Sequence, residues 1–231
     1  MSKLQRPKDS NLWKRHVECV LRVISGALIR LHKRCDLPDR EEDLDRFLYL
    51  DAKIEYSNLS SDKRPSGFNL IQKSENTPSK ESDIGEEWTF KRPDFKWRLC
   101  NDLANTTDEL TMDFDIESKR LGKPTSPNWI LNREYVENGI SRFILSTHKY
   151  GNGVDSGLMI GYIQTMIPMD ILKEVNQYIT EQSKNNMPSI SFREEYFEKN
   201  KIAQTSQFIK RRCFPPPCFT LYHLWIDLRS N

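Results

Sequence analysis

The stretch from Asp113 to Leu121, DFDIESKRL, alternates between ionisable and apolar residues. Side chains of a β-strand point alternately to its two faces, so the pattern predicts a strand with Phe114 and Ile116 on one face. Glu117 and Lys119 then share the other face, where a carboxylate and an ammonium group two positions apart can contact the same metal-bound water. A strand at this position restricts which residues of the neighbouring segments can lie beside Glu117 and Lys119.

The residues before it predict its partner strand. Trp88 to Cys100 and Thr111 to Arg120 read as two strands joined by a polar connection, Asn101 to Leu110. If these strands form an antiparallel hairpin centred near residue 106, the numbers of paired residues sum to about 212.

This register selects a second carboxylate. It places Asp94 opposite Ser118 or Lys119 and diagonal to Glu117. The competing acid, Asp102, would lie at the loop end of the hairpin, far from Glu117. We therefore expect Asp94 and Glu117 to lie close together.

The N-terminal part predicts helices. Leu12 to Arg34 has apolar residues at three-and-four spacing, which indicates one buried helix face. Arg40 to Tyr49 predicts a short second helix, and Leu50 to Tyr56 a first strand. Residues 57–87 are rich in Ser, Asn, Lys, Pro and Glu and predict a long loop or flexible insertion.

The segments after the hairpin predict a helix and a buried strand. Arg133 to Ser146 has an apolar helix face, and Gly139 inside it indicates close packing against the sheet. Leu158 to Met166, LMIGYIQTM, is almost continuously apolar and predicts a central strand covered on both faces. A strand–helix–strand crossover would place it beside or near the DFDIESKRL strand, with Gln164 at its end.

The C-terminal part predicts two helices and a strand. Pro168 to Thr180 indicates an amphipathic helix, and Glu194 to Ile209 a weakly periodic one that ends in the basic cluster 210–212. Phe219 to Leu228 predicts the last strand. The chain then forms a single domain over 1–231, with its core at about 12–56 and 88–182 and an extension over 183–231.

The pair Pro93-Asp94, a spacer and the tripeptide Glu117-Ser118-Lys119 resemble the PD-(D/E)xK nuclease superfamily. The resemblance covers about residues 90–166. It implies an α/β fold of the restriction-endonuclease-like type, with an αβββαβ core and a mixed central sheet flanked by helices. Small free-standing members are often bacterial restriction or phage-defence nucleases. We therefore expect DNA, rather than RNA, as the substrate.

The same resemblance implies a chemistry. Two neighbouring carboxylates repel each other, and a hard divalent cation relieves that repulsion. Asp94, Glu117 and the Ser118 carbonyl would hold Mg²⁺ or Mn²⁺, and Lys119 would orient or deprotonate a water. The residues expected to contact nucleic acid are Arg120, Arg142, Gln164, Lys210, Arg211 and Arg212. Cutting both strands of a duplex would require a homodimer, and a partner protein of a defence system is also possible.

Composition leaves alternatives open. The formal net charge of +2 is close to neutral, which favours a non-catalytic nucleic-acid-binding or interaction subunit on the same fold. Alternating charges on a strand are also typical of a plain solvated face. No run of about 18 apolar residues and no apolar signal-peptide core is found, so we expect a cytoplasmic protein without a membrane span.

Overall fold

The protein has a mixed α/β fold in which helices flank a six-stranded open sheet. The computed structural model describes residues 10–64, 67–76, 81–101, 110–182, 187–195, 197 and 201–229. The predicted α/β class is confirmed.

The sheet contains both parallel and antiparallel strands. Its strands are β1 (Leu70–Gln72), β2 (Phe95–Cys100), β3 (Thr111–Leu121), β4 (Ser156–Ile163), β5 (Ile202–Lys210) and β6 (Cys218–Asp227). They are ordered β1-β2-β3-β4-β6-β5. The β3–β4 and β4–β6 pairs are parallel, whereas the other neighbours are antiparallel. The carboxyl ends of β3, β4 and β6 therefore lie at the same edge of the sheet.

The helices form two layers around the sheet. They are α1 (Ser10–His32), α2 (Glu41–Ser57), α3 (Leu131–Glu137) and α4 (Pro168–Glu181), with 3-10 turns at Ser61–Lys63, Glu81–Asp83, Glu87–Phe90 and Ile140–Phe143. One apolar core joins α1 and α2 to the sheet, and another joins α3 and α4 to its other face. Leu158 and Ile160 of β4 belong to the first core, whereas Met159 and Ile163 belong to the second. The prediction that β4 is covered on both faces is confirmed.

Two predicted elements are wrong in type. Residues 50–56, predicted as a strand, continue helix α2, because Leu44, Leu48, Ala52 and Tyr56 recur every four residues and are all buried. The second half of the predicted helix over 194–209 is instead strand β5, which begins at Ile202 and pairs with β6. One of its buried positions carries the polar residue Gln207, so the alternation of apolar and polar residues that is typical of a strand cannot be recognised in the sequence.

The hairpin is present, and its register differs from the prediction by one residue. Phe95 pairs with Ile116, so paired numbers sum to 211 rather than about 212. Asp94 directly precedes β2 and therefore comes opposite Glu117. The segment predicted as a loop, 57–87, contributes β1, which pairs with β2. Asp102 lies outside the described residues.

The predicted helix over 133–146 is interrupted. Helix α3 ends at Glu137, and a 3-10 turn begins at Ile140. A Cβ atom at Gly139 would lie 2.5 Å from Met159 Cε and 2.4 Å from the Tyr135 carbonyl oxygen. The predicted close approach of Gly139 to the sheet is confirmed, because only a residue without a side chain fits there.

None of the helices in the described part of the chain is long and apolar enough to span a bilayer.

Candidate functional site

The start of β2 and the second half of β3 bring the predicted acids and the predicted lysine together. Lys119 Nζ lies 2.7 Å from Glu117 Oε1 and 3.7 Å from Asp94 Oδ2. Both carboxylates therefore face the same ammonium group at one edge of the sheet. The convergence follows from the hairpin register, which sets Asp94 opposite Glu117.

Helix α2 adds two carboxylates that the sequence prediction missed. Glu41 Oε1 lies 3.1 Å from Lys119 Nζ, and Glu41 Oε2 accepts a hydrogen bond of 3.0 Å from the Arg120 backbone N–H. One helical turn later, Asp45 Oδ1 accepts hydrogen bonds from Ser118 Oγ at 2.8 Å and from the Tyr162 hydroxyl at 2.9 Å. The acidic start of α2, with acids four residues apart on one helix face, is the signal that could have found them.

Ser118 links the two acidic elements. Its backbone N–H donates to Asp94 Oδ2 at 2.9 Å, and its hydroxyl lies 3.1 Å from the same oxygen and 2.8 Å from Asp45 Oδ1. Its carbonyl oxygen, predicted as a metal ligand, accepts a 2.5 Å hydrogen bond from Lys119 Nζ. Ser118 thus fixes the Asp94 carboxylate against β3.

The charged residues of β3 do not form a solvated face. Glu117 has no exposed surface, and Lys119 is 9% exposed. Four carboxylates and two cations meet here, which leaves a formal charge of −2 (2 − 4); they are Glu41, Asp45, Asp94, Glu117, Lys119 and Arg142. Ionised groups in so little water are costly unless they are paired, so this concentration of negative charge requires compensation.

Protons bound to the buried acids neutralise part of that negative charge. Burial, opposed by Lys119, raises the pKa of Glu117 from 4.5 to about 8. Burial and then the nearby Asp94 raise the pKa of Asp45. Burial alone would lower the pKa of Lys119, but Glu117, Asp94 and Glu41 raise it. The Lys119 ammonium group therefore keeps its proton, and the raised pKa of Glu117 favours its neutral form below about pH 8.

Glu117 is only half satisfied by the protein. Its Oε1 atom receives Lys119 Nζ and the Arg142 guanidinium, whereas its buried Oε2 atom makes no hydrogen bond. Arg142 Nε is also buried without a hydrogen-bond partner. Buried polar atoms are rarely left unpaired, and each of these two atoms retains the capacity for one more hydrogen bond.

A cavity of about 400 Å³ opens beside Arg142, whereas Glu117 is not part of its lining. Its lining includes Glu41, Lys119, Arg120, Arg142 and the half-exposed ring of Trp129. A second cavity, of about 490 Å³, lies against β5 and β6 and has no acidic or basic residue in its lining. The first cavity is therefore the one that can combine binding with acid–base chemistry.

The predicted nucleic-acid contacts separate into two groups. Arg120 lies at the site with its guanidinium donating to the Asp39 carbonyl, and Gln164, at the end of β4, donates to the same carbonyl at 3.1 Å. Together with Arg142, these side chains are at the edge of the sheet that carries the acids.

The basic cluster 210–212 is at the opposite edge. Lys210 pairs with Cys218 at the start of β6, whereas Lys119 shares a row of the sheet with Gly161 and Trp225. The separation along β6 from 218 to 225 is about 23 Å at the usual rise per residue. Lys210 and Arg212 are exposed there, remote from the acids.

Arg211 corrects the prediction of a basic binding cluster. The side chain is 3% exposed and donates hydrogen bonds to the carbonyls of Tyr150, Gly151, Val154 and Pro216. Its guanidinium also lies over the Phe219 ring. Arg211 ties the loop before β4 to the β5–β6 connection and is not available to a phosphate.

Across the described residues, no three His, Cys, Asp or Glu side chains are already arranged to hold a metal ion. The Lys119 ammonium group instead contacts oxygen atoms of Glu41, Glu117 and Ser118 at 3.1, 2.7 and 2.5 Å.

Comparison of this chain with protein families, curated proteins and solved structures finds no match.

Proposed function

We propose that the chain is a metal-dependent nuclease of the restriction-endonuclease-like type that hydrolyses phosphodiester bonds of DNA, in a bacterial restriction or phage-defence setting. The observation that carries the proposal is the meeting of Asp94, Glu117 and Glu41 around Lys119 at one edge of the sheet. Buried acids grouped around one lysine beside a cavity with two further arginines are expensive to maintain, and structural stability alone gives no reason for them.

The donor set suits a hard divalent cation such as Mg²⁺ or Mn²⁺. Asp94, Glu117 and the Ser118 carbonyl supply oxygen donors only, which is the preference of Mg²⁺. The formal charge of −2 and the Glu117 Oε2 atom, which has no hydrogen-bond partner, also favour the binding of a cation. When bound, such an ion supplies neutralisation of phosphate charge and makes water more acidic.

The protein side chains then have distinct roles. Lys119 orients the attacking water and offsets the negative charge that develops on the phosphate. Arg142 and Arg120 hold non-bridging phosphate oxygens, as guanidinium groups do in many phosphate sites. Asp45 accepts a hydrogen bond from the Ser118 hydroxyl and so keeps Ser118 in position, while the Ser118 backbone N–H holds the Asp94 carboxylate.

A non-catalytic nucleic-acid-binding or interaction subunit is the second candidate. One observation favours it: Lys119 and Arg142 both pair with Glu117 Oε1, which is a self-contained arrangement of charges. If the chain is such a subunit, Asp94, Glu117 and Lys119 only stabilise this edge of the sheet.

A cleavage assay separates the two functions. Purified protein is incubated with plasmid DNA, linear duplex DNA, single-stranded DNA and RNA, in Mg²⁺, in Mn²⁺ and in EDTA. The nuclease proposal expects metal-dependent cleavage that Asp94→Ala, Glu117→Ala and Lys119→Ala each abolish. Cleavage that survives all three substitutions would exclude this site as its source, and binding of nucleic acid without any cleavage would favour the second candidate.

A further inference from the structure

Trp129 differs from every other tryptophan of the chain in its surroundings. All five tryptophans lie in the described part of the sequence. Trp13, Trp88, Trp97 and Trp225 are at most 5% exposed, whereas Trp129 is 51% exposed. Leaving the largest apolar side chain in water forfeits the favourable free energy of burying it.

Local structure fixes the position of Trp129. A tight turn directly after β3 carries it: the Trp129 N–H donates to the Ser126 carbonyl, and the Thr125 N–H donates to the Trp129 carbonyl, both at 3.1 Å. Pro127 within the turn further limits the backbone. The ring is therefore presented from a defined backbone position.

The position of the ring matters more than its exposure. Ile84, Phe90 and Phe208 are more exposed than Trp129, and none of them lines the cavity at the acidic site. Isolated exposed apolar side chains need no explanation. Trp129, by contrast, shares the cavity with Lys119, Arg120 and Arg142.

An aromatic ring next to guanidinium groups matches the chemistry of an unpaired nucleotide. The face of a nucleobase stacks on an aromatic side chain, while its phosphate pairs with nearby cations. In a continuous duplex the base faces are covered by neighbouring base pairs and cannot reach such a ring. Arg142 lines the same cavity as Trp129, so a nucleotide stacked on the ring has a guanidinium group within the same cavity for its phosphate.

We infer that this cavity binds an unpaired nucleotide, with its base stacked on Trp129 and its phosphate held by Arg142 and Arg120. The substrate is then a single-stranded polynucleotide or an unpaired segment of a duplex. The inference rests on the proposed function in that it names the substrate class of the same site.

The test measures binding in EDTA, where no metal-dependent cleavage occurs. Fluorescently labelled oligodeoxyuridylate, oligouridylate and a blunt duplex of equal length are titrated with the protein, and affinity is read from anisotropy. We expect tighter binding of the single strands than of the duplex, and the tighter of the two single strands identifies the preferred sugar.

Variants of two exposed aromatic residues supply the matched comparison. Trp129→Ala should weaken single-strand binding about tenfold to a hundredfold, the usual effect of losing one base–aromatic stack, and Trp129→Phe should restore part of it. Phe208→Ala removes a ring of similar exposure on β5, outside the cavity, and should bind like the unsubstituted protein. Because Trp129 is the exposed tryptophan, oligonucleotides should also quench the intrinsic fluorescence, and Trp129→Phe should abolish that quenching.

Equal affinity of the unsubstituted protein and Trp129→Ala, or duplex binding as tight as single-strand binding, would overturn the inference. So would failure to bind any oligonucleotide. Parallel cleavage reactions in Mg²⁺ keep the two proposals apart. Trp129-dependent binding without cleavage leaves the inference standing and removes the nuclease, whereas Trp129-independent cleavage of duplex DNA does the reverse.

Discussion

Replacing Glu117 by glutamine should change how the stability of the protein depends on pH. Glu117 is fully buried on β3, and burial raises its pKa from 4.5 to about 8 although Lys119 and Arg142 oppose the rise. The nearby Asp94 contributes to this rise. The neutral, protonated form of Glu117 is therefore the form that the metal-free folded protein favours.

The direction in which stability changes with pH follows from proton binding by Glu117. Between pH 4.5 and about pH 8 the folded protein keeps a proton on Glu117 that the unfolded chain releases. The stabilisation linked to that proton is complete below pH 4.5 and is lost as the pH rises through about 8. The full shift corresponds to about 5 kcal/mol at about 1.4 kcal/mol per pH unit.

Glutamine keeps the shape of Glu117 and cannot ionise. The unfolding free energies of the unsubstituted protein and of Glu117→Gln are measured by urea denaturation in EDTA at about pH 5 and about pH 8. Buried acids common to both proteins, such as Asp45, cancel in the difference. Over this interval the unsubstituted protein should lose about 3 kcal/mol more than the variant.

Glu86→Gln, at an exposed position, is the matched control and should show the same pH dependence as the unsubstituted protein. If the difference between Glu117→Gln and the unsubstituted protein stays constant from about pH 5 to about pH 8, burial does not hold the proton on Glu117. The reasoning about uncompensated charge at the site would then be refuted.

Three further outcomes are expected. Added Mg²⁺ should raise the melting temperature of the unsubstituted protein in a thermal-shift assay and have little effect on Asp94→Ala or Glu117→Ala; equal shifts in all three would exclude these ligands. Lys119→Ala should still bind Mg²⁺ by calorimetry but cut no DNA, and a cutting variant would refute its role. Gly139→Ala should lower the unfolding free energy by about 1–3 kcal/mol in denaturation, because its Cβ would lie 2.4 Å from the Tyr135 carbonyl oxygen as well as 2.5 Å from Met159 Cε; unchanged stability would refute that packing argument.

Short-range patterns account for the parts of the fold that the sequence predicted. The three-and-four spacing of α1 and the continuous apolar run of β4 identify these elements without reference to other segments. The alternation of β3 and the short connection to β2 fix their pairing to within one residue. For the same reason the approach of Asp94 to Glu117 could be predicted, since a hairpin register depends only on local chain length.

Local sequence patterns do not predict the structure of a residue whose neighbours in space come from distant parts of the chain. Strand β5 has few apolar residues, and its pairing with β6 determines its structure. Arg211 reads as a surface cation, yet carbonyl groups some 60 residues earlier in the chain accept its hydrogen bonds.

Local sequence patterns were enough to predict the hairpin and two of its acids, because neighbouring residues along a strand define which side chains share a face. Only the tertiary structure added Glu41 and Asp45, which α2 brings to Lys119 and Ser118 across a separation of more than 70 residues. Packing of α2 on the sheet supplies this proximity, and packing also removes the water that would otherwise screen the charges. Burial and spatial neighbours, rather than residue identity, therefore decide the charge state of the site.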